Sequence, residues 1–203
     1  MSDSGLLPYL DVPFQHASPR ILKLMKRPAN AEDTLERIRA WRRICPDLAI
    51  RSTFITGFPG ETEADHKQLL EFIEEMDFEA VGVFEYSHEE GTVAGTMEEN
   101  PKLAVAPEVK ERRRNEVMEL QQKLAFKKAA AMAAKFNEKD PLGSLKKGAV
   151  QLDVLIDAGL RTSGKKTSGV SEGGRLYVGR TYFQAPQIDA VTYVQSRQAL
   201  SPG

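Results

Sequence analysis

The stretch FITGFPGET (residues 54–62) runs an apolar segment straight into two glycines, a proline, an acid and a hydroxyl. An apolar run of strand length, a Gly/Pro turn, and a threonine followed three residues later by an acid spell strand, tight turn and helix N-terminus. The segment is therefore one βα unit, and its loop sits at the C-terminal edge of a strand, where α/β folds bind ligands. A triphosphate loop of the form G-x-x-x-x-G-K-[ST] is excluded, because Glu61 stands where a cation is needed. The dinucleotide fingerprint fails too, since Gly57 and Gly60 are three apart and no third glycine follows. Two readings stay open: a tight turn whose glycines serve backbone geometry alone, or one wall of a ligand site.

Outward from this loop, strand-length runs alternate with helical patterns, which predicts βα units and a parallel sheet. The strands are LAIRSTFITG (48–57), EAVGVFEYS (79–87) and, in part, the proline-punctuated LPYLDVPF (7–14). Asn30 is placed to cap a helix ending before Pro46, with Asp33 in its first turn and Leu35, Ile38, Trp41 and Cys45 on one side. Thr62 caps the next helix, with Asp65 at its third position and Leu69, Leu70, Ile73 and Met76 at helical spacing. A long helix over 107–136 carries the core stripe Val109, Val117, Leu120 and Leu124. Its mixed charges, Arg112 to Arg114 included, read as a solvated face, with an RNA contact as the other reading. Beyond the turn residues NEKDPLGSLKKG (137–148), the runs AVQLDVLID (149–157), GRLYVGRTY (174–182) and AVTYVQS (190–196) predict a small antiparallel β domain. It is of the OB-like barrel kind, with too few strands to close. The domains expected are 1–140 and 145–203.

Composition narrows the function classes. Lys and Arg total 28 against 29 Asp and Glu, a net charge of -1, so no global field draws the chain to nucleic acid or lipid. No apolar run approaches the roughly 20 residues of a membrane span, and the opening MSDSG lacks the features of a signal peptide, which favours the cytoplasm. The single cysteine, Cys45, rules out an internal disulfide framework or a multi-cysteine metal site within this chain; it reads as a small buried hydrophobe.

Two more loops share the edge occupied by GFPGET. FQHASP (14–19) brings Gln15, His16 and Ser18; YSHEEGT (86–92) brings Tyr86, Glu89 and Glu90. A lone histidine such as His16 is more often a structural hydrogen-bonder than a ligand, and His66, on a helix, reads as surface.

LPYLDVPFQHAS (7–18), LKLMKRP (22–28), RSTFITGFPGETEADH (51–66), FEYSHEEGTVA (84–94) and GRTYFQAPQIDAVTYV (179–194), in this order, resemble the radical S-adenosylmethionine methylthiotransferases. Gln15-His16-Ala17-Ser18, EEGT (89–92) and APQID (185–189) resemble the RimO type, which methylthiolates an aspartate of the twelfth small-subunit ribosomal protein. The MiaB type, which modifies an adenosine of tRNA, is the alternative; a non-catalytic module that binds ribosomal protein or RNA is a third reading.

The resemblance implies a partial (β/α) radical-SAM barrel, here its second half, followed by a truncated TRAM domain. It implies S-adenosylmethionine and two 4Fe-4S clusters in the full-length enzyme. Gln15, His16, Ser18, Arg51, Thr53 and Ile55 would line the S-adenosylmethionine site, with Arg51 forking onto its carboxylate and Ile55 stacking on adenine. An ion pair is the other reading of Arg51, and Ile55 is core in either case. Tyr86, Glu89 and Glu90 are candidates for the substrate side. A RimO-type enzyme profits from acidic surface toward a basic ribosomal protein, against which the basic segment 161–166 runs. A half barrel is also expected to expose a sheet edge and to associate.

The family's C-x-x-x-C-x-x-C triad, which holds the radical cluster, is absent from this sequence. The isolated chain is accordingly expected neither to cleave S-adenosylmethionine nor to carry iron. Anaerobic reconstitution with iron and sulfide checks this, and a four-iron absorption spectrum from this chain alone would refute it.

Overall fold

The structure, a computed structural model, describes residues 5–27, 31–160, 175–185 and 190–203. The expected cap at Asn30, the basic segment 161–166 and most of APQID lie outside the described residues. The chain divides into two compact units, Pro8–Ala134 and a second built mainly of Lys135–Gly203.

The first unit runs β1 (Tyr9–Asp11), α1 (Pro19–Leu24), α2 (Ala31–Ile44), β2 (Ala49–Thr56), α3 (Glu63–Met76), β3 (Ala80–Glu85), α4 (Val93–Glu98) and α5 (Pro107–Ala133). The three strands form a parallel sheet in the order β1-β2-β3, with Asp11 beside Arg51, Thr53 beside Gly82 and Ile55 beside Phe84. β2 is central, and its residues alternate. Ile50, Ser52, Phe54 and Thr56 are fully buried on the helix side, whereas Arg51, Thr53 and Ile55 are half-exposed on the other. Ile55 is thus not core, contrary to the sequence reading. Strand periodicity puts it on the opposite face from Phe54.

The core is aromatic. Phe14, Phe54, Phe72 and Phe78 lie with ring centroids 5.9 to 6.2 Å apart, and Ile38, Leu69, Ile73 and Val117 pack around them. Each buried phenylalanine contributes on the order of 1.5–3 kcal/mol of transfer free energy, so the aromatic set fixes how α3 and the loop carrying Phe78 seat on β2. Of the α5 stripe, Val117 and Leu124 are buried, and Leu120 is partly buried against the core. The solvated reading of 112–114 fails at its middle residue, because Arg113 is only 2% exposed while its neighbours face water. Helical periodicity carries Arg113 to the same side as Val117. His66, expected at the surface, is likewise buried at 2%, on the same helix side as Leu69 and Ile73. Cys45 follows the last residue of α2 and is only half-buried, not core.

α3 begins as the sequence indicates. Thr62 Oγ1 accepts from the Asp65 amide at 3.3 Å, and the Asp65 carboxylate accepts from the Thr62 amide at 2.9 Å, a reciprocal capping box. α1 and α4 have no counterpart in the sequence reading. Six residues are too few for a helical period to show, and Thr92, which caps α4 by accepting from the Gly95 amide, looks like any loop threonine.

The second unit opens with α6 (Pro141–Lys146), where Asp140 caps by accepting from the Gly143 amide at 3.0 Å. β4 (Leu155–Leu160), β5 (Arg175–Arg180) and β6 (Thr192–Ser196) then form an antiparallel meander with a bulge between Ile156 and Ala158. The first of these strands starts later than 149, because the residues before Leu155 find no ladder partner. Among the described residues the sheet has three strands and does not close into a barrel.

Replacing Thr62 with alanine removes one half of the capping box and should lower stability by about 1 kcal/mol. A urea midpoint unchanged from the parent chain would contradict this account of the α3 start.

Candidate functional site

The GFPGE loop is closed by its own last residue. Glu61 turns its carboxylate back, and Oε2 accepts from the amide of Phe58 at 3.1 Å and from that of Gly57. The Glu61 amide in turn donates to the Phe58 carbonyl at 2.9 Å, and the Gly60 amide to Leu103 at 2.7 Å. Gly57 and Gly60 have φ of 74° and 85°, a region that glycine enters without penalty. Gly57 is required twice, since the stem of Lys110 from α5 lies where a Cβ would stand. The backbone donors that would cradle a phosphate are therefore engaged by an internal anion.

Around Glu61, which is 5% exposed, three cationic or ionisable side chains converge. Arg113 Nη1 lies 3.3 Å from Oε1, His66 Nδ1 3.7 Å and His16 Nε2 3.8 Å. Arg113 also donates to the Glu61 carbonyl at 3.2 Å and to Glu63 at 2.8 Å. His66 Nε2 meets Glu116 at 2.7 Å. Burial pushes the His66 imidazole below its ordinary pKa, against the raising pull of Glu116 and Glu61.

A second buried acid ties the first loop to α3. Ser18 Oγ donates to Asp65 Oδ1 at 2.6 Å, Arg20 pairs with the same carboxylate, and Thr62 Oγ1 donates to its other oxygen at 2.5 Å. Burial alone would raise the Asp65 carboxyl. The hydrogen bonds from Arg20, Ser18 and Thr62 outweigh it and hold the group well below the usual carboxylate range.

The sequence candidates divide into two sets. His16 and Ser18 are 1% exposed and turned inward, His16 Nδ1 accepting from the Ser18 amide at 2.9 Å. Gln15 stands at the strand edge with φ of 67°, its amide bonded to the Thr53 carbonyl at 2.9 Å and its carbonyl to the Ile55 amide at 2.7 Å. Arg51, Thr53 and Ile55 share the half-exposed face of β2, continued on β3 by Gly82 and by Phe84, 66% exposed. Arg51 Nε is 3.9 Å from Asp11.

On the third loop, Tyr86 packs edge-on to Phe58 with centroids 5.3 Å apart and under Lys110 Nζ at 5.0 Å. Glu89 and Glu90 are exposed. Lys110 Nζ also donates to the Tyr86 carbonyl at 3.2 Å and to Glu98 at 2.5 Å, pinning this loop to α4 and α5. Glu61, Asp65, Lys110 and Arg113 were not legible as site residues. The one available signal was spacing: Lys110, Arg113 and Val117 repeat at three and four along α5, which places two cations on a core-facing stripe.

The lowered groups set a pH dependence. Both His66 and Asp65 bind fewer protons folded than unfolded, so their stabilisation is complete above the unfolded values, roughly 6.5 and 3.9, and is lost as pH falls through the depressed folded ones. Stability of the chain should fall between pH 7 and 5, and the fall should be shallower in His66→Gln. Urea unfolding across this range checks it, and equal slopes for the two chains would remove His66 from the account.

Residues 1–73 match the family model of the radical SAM superfamily. Over all 203 residues the chain is 44% identical to the ribosomal protein uS12 methylthiotransferase RimO of Azoarcus sp. (strain BH72), of which it covers 39%. It is 43% identical to that of Nitrosomonas eutropha, covering 38%, and 44% identical to that of Vibrio cholerae serotype O1, covering 36%. The chain thus spans about two-fifths of the length of the curated relatives it matches. Among solved structures it is similar to coproporphyrinogen III oxidase (HemN) from Escherichia coli, a radical SAM enzyme, with a TM-score of 0.50 and 18% identity, over 58% of this chain and 27% of that one. That likeness concerns the fold. From end to end, then, the chain is similar to a segment of the RimO-type methylthiotransferases, and its first 73 residues match the radical SAM superfamily.

Proposed function

We propose that this chain is part of a cytoplasmic radical SAM methylthiotransferase acting on an aspartate of ribosomal protein uS12. In this reading, 1–140 is the second half of the radical domain and 145–203 most of a TRAM domain. The observation that carries the proposal is 44% identity to a RimO protein across every residue of the chain.

The half-exposed face of β2 and β3 suits S-adenosylmethionine. Ile55 and Phe84 offer apolar surface to an adenine, the Gly82 position leaves room beside Thr53, and the Thr53 hydroxyl can bond a ribose. Arg51 suits the carboxylate end. Gln15 borders this face, while His16 and Ser18 support it from behind by fixing the 15–18 loop on Asp65 and toward Glu61. When bound, S-adenosylmethionine and the 4Fe-4S clusters supply the radical chemistry and the methylthio group. The residues of this chain do not fit the clusters. Cys45 is the single cysteine, and among the described residues no group of three or more His, Cys, Asp or Glu could hold a metal ion. Their ligands are therefore assigned to sequence other than this chain. The chain's own residues hold and orient the nucleoside and shield it from water on the sheet side. Exposed Glu89 and Glu90 give the third loop an acidic tip suited to a basic protein substrate.

Deleting the native gene should abolish the methylthio mass increment on the uS12 aspartate and leave the methylthio-adenosines of tRNA unchanged, as read by mass spectrometry of both. Loss from tRNA alone would assign the chain to the MiaB type, and loss from neither would make it a binding module.

A further inference from the structure

We infer that Glu61, His16 and His66 bind one buried water, which bridges these three side chains where they do not reach one another directly. This goes beyond the proposed activity and does not depend on it.

The argument starts from unmet hydrogen-bonding capacity. His16 Nε2, Glu61 Oε1, His66 Nδ1 and Arg113 Nε are buried side-chain atoms without a hydrogen-bond partner, and all four belong to one cluster. Buried polar groups are almost always paired, and the three gathered around one carboxylate oxygen, His16 Nε2, Glu61 Oε1 and His66 Nδ1, need a common explanation. The His16 and His66 nitrogens lie 3.8 and 3.7 Å from Glu61 Oε1, beyond the roughly 3.2 Å limit of a good N–H···O bond. Polar atoms at such separations are commonly bridged by water.

The tautomers decide which kind of bridge fits. His16 Nδ1 accepts from the Ser18 amide, so the proton of a neutral ring is on Nε2 and points toward Glu61. The Glu116 carboxylate can only accept, so His66 Nε2 carries its proton toward that residue. Neutral His66 then presents a lone pair at Nδ1 to Glu61 Oε1, and two acceptors face each other. One water resolves this, donating one O–H to His66 Nδ1 and the other to Glu61 Oε1 while accepting from His16 Nε2–H. That makes three hydrogen bonds, about the usual number for a buried water.

Other occupants fit less well. A cation is disfavoured by the guanidinium of Arg113, 3.3 Å from the same oxygen, and an anion by the Glu61 carboxylate itself. A doubly protonated His66 would donate directly to Glu61 and need no water, but burial favours its neutral form.

Two measurements on the unmodified chain at pH 7.5 test the inference together. In 15N-histidine NMR, both rings should be neutral with the proton on Nε2, and His66 Nδ1 should resonate at the far-downfield position of an unprotonated ring nitrogen. In a high-resolution crystal structure, one water should lie within hydrogen-bond distance of His16 Nε2, Glu61 Oε1 and His66 Nδ1. An upfield His66 Nδ1 resonance marking a doubly protonated ring overturns the inference, as does a direct Glu61–His66 hydrogen bond with no water between them.

Discussion

The carboxylate of Glu61 folded back onto the amides of Gly57 and Phe58 is the interaction on which the loop edge of the first unit's sheet depends. A βα turn ending a buried strand leaves backbone donors pointing into a poorly hydrated space, and each must be satisfied. Many α/β proteins leave that task to a bound phosphate. Here a side chain four residues on does it, so the loop keeps its shape without a ligand. Burying a carboxylate has its own cost, several kcal/mol per ion after relaxation. Arg113, reaching in from α5, is the compensating charge. One long helix is thereby tied electrostatically to the loop, against which the stem of Lys110 also lies.

This arrangement divides the strand-end residues by direction. Side chains on the helix side, namely His16, Ser18 and Glu61, turn inward toward Asp65 and His66 of α3 and Arg113 of α5. Side chains facing away, namely Arg51, Thr53 and Ile55, stay half-exposed on the sheet. The division follows from the two-residue period of β2 and from the positive φ of Gln15, which redirects the chain between Phe14 and His16. Polar residues clustered in loops can therefore sit on both sides of the same edge.

Strand-turn-helix was legible from FITGFPGET because each part has a local cause: the apolar run, the glycines, the Thr62 cap. β2, β3, α3 and α5 follow from such signals, since their periods extend over several turns or residues. α1, α4 and α6 do not, because six residues give a helix no measurable period. The inward turn of His66 and Arg113 escaped for another reason. Both are polar residues on helix positions that face the core, and hydrophobic periodicity assigns polar residues to solvent by default. Reading them correctly required Glu61, a partner 52 residues away in sequence from Arg113.

The same long-range pairing explains why the loop tolerates polar neighbours in a core otherwise built of phenylalanines. An isolated buried Arg113 or Glu61 would cost more than the loop gains, and each is acceptable only because the other is there. Their charges cancel locally, and the neutral form of His66, favoured by burial, adds no third charge to the balance. Glu63 and Glu116 then hold the outer ends of Arg113 and His66 at the rim. The ion pairs grade inward toward the Gly57–Phe58 amides, with Glu63 exposed, Glu116 half-buried and Glu61 closed off from solvent. The loop geometry is thus set by α5 as much as by its own glycines, and for that reason a βα turn that reads as local in sequence depends on a helix beginning at Pro107.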